Sequence, residues 1–220
     1  KRIKWLEDRS IKNFNDVDIS KIISQIDKDR EKIKILKEHN KIKVIKDKTF
    51  TALMIVESPT KANLIANLIG KPTTRYLKSM NVYEVSLGSM TLIIGSTMGH
   101  IYDITTENYG FYGVDVENNR YIPKYLTIKV CKKCKKQFTS YNSCPLCGSD
   151  EFYDKKDIII DLIEVSKEVD TVFISTDPDS EGEKIGWDIY SLLSPYVSKI
   201  KRVVFHEITK RGILEGFKNI

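Results

Sequence analysis

Thr171-Val172-Phe173-Ile174-Ser175-Thr176-Asp177-Pro178-Asp179-Ser180-Glu181-Gly182-Glu183 places an apolar run, an acidic loop and the start of a helix-like pattern in direct succession. A buried strand that ends in charged residues and turns into a helix is where open α/β sheets gather their chemistry. The residue before a proline favours extended backbone, so Asp177 is expected to prolong the strand, and period-2 spacing then aims Asp177, Asp179 and Glu181 to a common side. Three hard oxygen donors at a strand end suit Mg²⁺, and uncompensated they would repel one another. The competing reading is a helix start: Ser180 and Glu183 form a capping box, and acids in a first turn offset the macrodipole. That reading covers Ser180, Glu183 and in part Glu181, but leaves Asp177 and Asp179 without a purpose.

Outward from this loop the chain alternates. Ala52 to Val56 is a short apolar strand ending at Glu57, with Ser58 suited to an N-cap, Pro59 to the first helical position, and Leu64, Ile65, Leu68 and Ile69 forming a stripe that stops at Gly70. Glu57 therefore sits at a strand end beside a helix N-terminus, where a dipole partner and a functional carboxylate are equally compatible with the pattern. Val82 to Leu87 and Met90 to Ile94, flanking Gly88-Ser89, read as a β-hairpin. Asp157 is expected to cap a helix carrying Ile158, Ile159, Leu162 and Ile163. A strand over 200–205 and a last helix capped by Thr209 follow. Such an order predicts an α/β fold with a mainly parallel sheet flanked by helices. Tyr109, Phe111, Tyr112 and Tyr125 read as packing residues, since no basic residues interleave with them.

All four cysteines lie in two C-x2-C pairs, Cys131 with Cys134 and Cys144 with Cys147, nine residues apart. Each tight turn directs two thiolates at one point, so the pattern predicts a tetrahedral four-cysteine Zn²⁺ ribbon at about residues 127–153, structural because its shell is closed. Disulfides are disfavoured where no secretory signal precedes them. Lys129, Lys132, Lys133, Lys135 and Lys136 surround the knuckle; a solvated face is the commoner outcome, phosphate contact the other.

The 220 residues carry 36 Lys+Arg against 30 Asp+Glu, a net charge of +6, and 41% hydrophobic content. That is enough for a core, compatible with a polyanionic partner, and free of any membrane-spanning run. A cytoplasmic protein is expected, as a piece of something longer. Residues 1–50, rich in Lys, Ile and Asp, predict a charged amphipathic connector helix over about 18–38.

An acidic strand end plus a later Asp-x-Asp-x-Glu-Gly resembles the Toprim domain, which implies a Rossmann-like sheet over 51–220. Four segments are similar to motifs of type IA DNA topoisomerases: 56–62, Gly99-His100-Ile101-Tyr102-Asp103, 176–183 and Phe205-His206-Glu207-Ile208-Thr209. The run 65–72 and the inserted four-cysteine ribbon resemble the reverse gyrases among them. The resemblance implies an ATP-dependent enzyme that cleaves and reseals one DNA strand through a 5′-phosphotyrosyl link and introduces positive supercoils. It further implies that Glu57 is the carboxylate beside the scissile phosphate, that Asp177, Asp179 and Glu181 hold Mg²⁺ together with Glu57, and that Lys61 stabilises phosphate charge. His206, Glu207 and His100 lie in family motifs; His206 and Glu207 are carried as catalytic candidates. No nucleophile motif surrounds any of the eleven tyrosines, and no G-x-x-x-x-G-K-[ST] loop is present. The implied partners are single-stranded DNA, the other topoisomerase domains, and an upstream helicase-like, ATP-using domain to which 1–50 connects. The chain alone is expected not to cleave DNA. A Toprim nuclease or primase and a non-catalytic zinc-ribbon DNA-binding module are the alternative readings. High Lys, Glu and Ile is compatible with a thermophile.

Overall fold

The computed structural model describes residues 50–105 and 113–218, together with Lys28, Glu31 and Ile35. The chain divides into two units, 1–48 and 49–220. The connector helix expected over 18–38 lies outside the described residues except at those three positions, which are helical and exposed. Tyr109, Phe111 and Tyr112 also lie outside them. No helix among the described residues is long and apolar enough to cross a membrane.

In the second unit, strand β1 (Phe50–Val56) is the axis of a six-stranded sheet. Its successive side chains point to opposite faces, and both faces are covered, which is why Ala52 to Val56 is apolar without interruption. Leu53 and Ile55 enter one core with Ile158, Leu162, Ile185 and Ile189. Ala52, Met54 and Val56 enter the other with Ile65, Ala66 and Ile213. Helices α2 (Lys155–Ser166) and α3 (Ser180–Leu193) therefore cover the first face, and α1 (Pro59–Ile69) and α4 (Lys210–Lys218) the second.

On one side β1 pairs in parallel with β12 (Thr171–Ile174), which pairs in parallel with β13 (Ile200–Arg202). On the other it pairs in parallel with β4 (Met90–Ser96), hairpin partner of the antiparallel β3 (Asn81–Leu87), whose far edge takes β2 (Thr73–Tyr76). Gly88, at φ +65°, makes the turn between β3 and β4. The buried Asp161 accepts from the N–H groups of Ser79 and Met80 at 2.7 and 3.2 Å, fixing the approach to β3 from within α2.

Between β4 and α2 the chain leaves the sheet. Strand β5 (Tyr102–Ile104) pairs with β8 (Tyr125–Thr127). Strand β6 (Val114–Glu117) pairs with β7 (Arg120–Pro123) across Asn118-Asn119, both left-handed. Strands β9 (Lys129–Cys131), β10 (Gln137–Phe138) and β11 (Phe152–Asp154) form a small sheet around the cysteines, with Phe138 and Phe152 edge to face at 5.6 Å. The ribbon closes at its base: the Lys155 N–H donates to the Ile128 carbonyl at 3.0 Å, and the Ile128 N–H to that of Ile101 at 3.1 Å.

Three local expectations are corrected. Helix α2 is capped by Asp154, whose side chain accepts from the Lys156 N–H, so Asp157 falls in the first turn. Helix α3 is capped by Asp179, not by a Ser180 and Glu183 box, because the chain becomes helical at Ser180 itself. The last strand ends at Arg202 rather than Phe205, since its partner β12 ends at Ile174 and offers no backbone beyond the bond that Val203 makes to it.

Candidate functional site

Glu57 leaves β1 at the carboxyl edge of the sheet and is bound to both neighbouring strand ends. Its Oε1 accepts from the Asp177 N–H at 2.8 Å, beyond β12, and its carbonyl from the Gly99 N–H at 2.9 Å, beyond β4. Ser58 caps α1 by accepting from the Lys61 N–H at 3.2 Å, which sends Lys61 back over the strand end. The Lys61 Nζ lies 2.5 Å from Asp177 Oδ2 and 3.5 Å from Glu57 Oε2. Burial pulls the Lys61 pKa down, but the hydrogen bond to Asp177 and the charges of Glu57 and Asp177 together hold it above the ordinary lysine value.

The rest of the acidic loop is shaped by a close approach and a clamp. A Cβ on Gly182 would lie 2.1 Å from the Asp177 carbonyl oxygen and 2.8 Å from Glu57 Oε1, so only glycine lets α3 start this close to the strand end. The Gly182 N–H donates to Asp179 Oδ1 at 2.7 Å, and the buried Thr176 hydroxyl to the Gly182 carbonyl at 2.7 Å. Arg202 donates from Nη1 to the carbonyls of Ile174 and Thr176 at 3.2 and 2.8 Å, and from Nη2 to that of Asp177 at 3.1 Å and to Glu183 at 2.6 Å. Sequence reasoning missed Arg202. One basic residue among 36 carries no pattern that would single it out.

The acids do not converge as period-2 spacing suggests. Strand β12 stops at Ile174, so the alternation is lost before Asp177. Asp177 faces Lys61, Asp179 turns back as the cap, and Glu181 pairs with His100 Nε2. A cleft of 430 Å³ brings Lys61, Asp177 and Asp179 together with His206 and Glu207, walled by Pro178, Phe205 and Ile208. The Glu207 carboxylate accepts from the Thr209 hydroxyl at 2.8 Å, and Thr209 caps α4 through the Gly212 N–H at 3.0 Å. Glu57, Glu181 and His100 stand beside this cleft rather than lining it.

The cysteines, by contrast, do converge. Among the described residues they are the group of metal-ligating side chains whose donor atoms all lie within 4.8 Å of one another. The Sγ atoms of Cys131 and Cys147 are 3.6 Å apart and those of Cys134 and Cys144 are 3.4 Å apart. Disulfides, at about 2.05 Å, are excluded by those distances. A tetrahedron with metal–sulfur bonds of about 2.3 Å has edges of about 3.8 Å, so the quartet fits one metal ion such as zinc.

The two knuckles share a backbone pattern. The Cys131 N–H donates to the Lys136 carbonyl and the Lys135 N–H to that of Cys131; the Cys144 N–H donates to Ser149 and the Gly148 N–H to Cys144. Lys135 and Gly148, in equivalent positions, are left-handed at φ +63° and +70°. The sulfurs split their titration: the Cys131 thiol, accepting from the Cys134 N–H, is lowered to about 6, while Cys134, against the lowering pull of the Lys136 N–H, is pushed up to about 12 by burial and the neighbouring sulfurs.

Residues 52–208, from the first strand through the acidic loop to Ile208, match the Toprim domain. The chain belongs to the Toprim family. Proteins similar to this Toprim chain carry the name reverse gyrase. The Pyrococcus horikoshii protein is 40% identical over 99% of this chain, the Pyrococcus furiosus protein 41% over 98%, and reverse gyrase 2 of Aquifex aeolicus 42% over 94%. The chain spans only 14% to 18% of the length of these relatives. Within this Toprim unit the cysteine ribbon, residues 129–154, is carried between β8 and α2.

Proposed function

We propose that this chain is the Toprim portion of a reverse gyrase, an ATP-dependent type IA topoisomerase that cuts and reseals one DNA strand through a 5′-phosphotyrosyl link and introduces positive supercoils. The observation that carries the reading is the cleft at the carboxyl edge of the sheet, where Lys61, Asp177, Asp179, His206 and Glu207 meet. Relatives about 40% identical over nearly the whole chain support the same reading. The nucleophilic tyrosine and the ATPase then lie in other parts of the longer polypeptide, and residues 1–50 connect to its helicase-like part in the cytoplasm.

The donor atoms suit a hard divalent cation by their chemistry, although the four side chains are not gathered around one point in this structure. Asp177, Asp179, Glu181 and Glu57 offer only carboxylate oxygens, and the ammonium of Lys61 already compensates two of them. These four would hold Mg²⁺, which when bound neutralises phosphate charge beside them. Lys61, at the N-terminus of α1, binds and orients a backbone phosphate in the manner of helix-terminus anion sites. Glu57, fixed by the Asp177 N–H, holds or releases a proton beside the scissile phosphate. His206 and Glu207, on the opposite wall, orient the strand. The ribbon holds Zn²⁺ structurally through Cys131, Cys134, Cys144 and Cys147.

The test uses this chain alone and within the longer protein. The isolated chain is expected to bind one Zn²⁺ and to take up Mg²⁺ weakly by calorimetry. It should form no covalent adduct with single-stranded DNA, whereas the longer protein forms one that Asp177→Ala or Asp179→Ala abolishes. Metal-dependent nicking by the isolated chain would transfer the reading to a nuclease.

A further inference from the structure

Lys155 is a buried cation that the proposed chemistry does not use. It is the first residue of α2 and the first after the ribbon, and it is 9% exposed. A positive charge there opposes the helix macrodipole and gives up its water, and burial lowers its pKa below the ordinary lysine value. A buried charge of this kind is costly unless it is hydrogen-bonded, and the acceptors of Lys155 all belong to one segment.

What it holds is a loop. The Lys155 Nζ donates to the carbonyl of Thr97 at 3.4 Å and to that of Met98. Met98 is a non-glycine residue in the left-handed region at φ +57°, and Gly99 follows at φ +92°. Such a backbone relaxes unless its surroundings over-determine it. The loop is joined to the site on both sides: the Gly99 N–H donates to the Glu57 carbonyl at 2.9 Å, and His100 Nε2 meets the Glu181 carboxylate. The Lys155 backbone is fixed in turn by the Ile128 carbonyl at the base of the ribbon.

We propose that Lys155 is a positioning residue, whose ammonium, carried on the chain leaving the ribbon, holds the Thr97–His100 loop in the shape that sets Gly99 on Glu57 and His100 on Glu181. The proposal rests on the functional reading above only in that Glu57 and Glu181 serve the reaction. The loop geometry itself is independent of it.

The experiment compares Lys155→Met and Lys155→Arg with the parent chain by amide hydrogen exchange, without DNA or Mg²⁺. In Lys155→Met, exchange at Gly99, whose N–H is bonded to the Glu57 carbonyl, should quicken by about tenfold or more, while the Leu162 and Val165 amides of α2 and the cobalt-substituted thiolate spectrum of the ribbon stay unchanged. Lys155→Arg should keep Gly99 within about twofold of the parent. Unchanged protection at Gly99, or equal loosening of Leu162 and Val165, overturns the proposal. If Lys155→Met does not fold, Lys155→Leu, which also removes the donor, is read by the same ratio. In the longer protein Lys155→Met should lower the cleavage rate at saturating DNA and leave the half-saturating DNA concentration unchanged. A shift in the latter instead also overturns the positioning role. Failure of cleavage in every form, with the exchange result as expected, would count against the topoisomerase reading and not against this one.

Discussion

The four cysteines and the four carboxylates proposed above for Mg²⁺ are built in opposite ways. The cysteines converge from two turns close in sequence, and each turn supplies its own N–H donors and left-handed residue. Glu57, Asp177, Asp179 and Glu181 come from two strand ends separated by more than a hundred residues, and each is held by a different partner: the Asp177 N–H, Lys61, the Gly182 N–H and His100. A closed thiolate shell is an endpoint, because removing a ligand leaves no fold to return to. A dispersed set of carboxylates held by exchangeable partners is what the proposed entry of a phosphate together with a cation would require.

The contrast is broken most severely at the ribbon. Cys131→Ser or Cys144→Ser should take zinc from one per chain to none by elemental analysis and make residues 129–154 protease-sensitive, while the main sheet still melts cooperatively. Next in size is Gly182→Ala. Its Cβ would meet the Asp177 carbonyl at 2.1 Å, and a loss of about 2–4 kcal/mol is expected in urea unfolding, with the ribbon untouched.

Lys61→Met sharpens the comparison, since it leaves Glu57 and Asp177 facing each other without a cation. A loss of about 1 kcal/mol at neutral pH is expected, kept small by the partial exposure of all three groups, and Mg²⁺ should raise the melting midpoint of the variant more than that of the parent. The pH dependence has a definite sign. The Lys61 pKa is raised on folding, so its stabilisation is complete below its ordinary value of 10.5 and is lost as pH rises through the higher folded value. That alkaline loss should be absent from Lys61→Met in a pH series of unfolding curves. The smallest effect is Lys135→Gly, which matches the first knuckle to the second at φ +63° and should stabilise the ribbon by up to about 1 kcal/mol in a zinc-competition assay.

What could be read from the sequence divides along the same line. Strand β1, the Ser58 cap, the hairpin at Gly88 and the cysteine knuckles are local patterns, and local patterns are visible in a chain. The cap is Asp179 rather than Ser180, because where a residue and its neighbour are both good caps the pattern leaves the helix start open by one position. Arg202, the pairing of His100 with Glu181, and the Gly182 contact with Glu57 depend on elements brought together by the sheet. The short strands β2 and β5 to β8 lack the length or apolar alternation that would have marked them.

The base of the ribbon, where Lys155 bonds to Ile128, has a consequence for how such a chain can change over time. Because entry and exit lie side by side at that bond and along the β9–β11 ladder, the strand order of the main sheet does not depend on how much chain lies between them. A lineage could lengthen, shorten or discard the cysteine lobe by insertion or deletion at that neck and inherit the same strand order on either side.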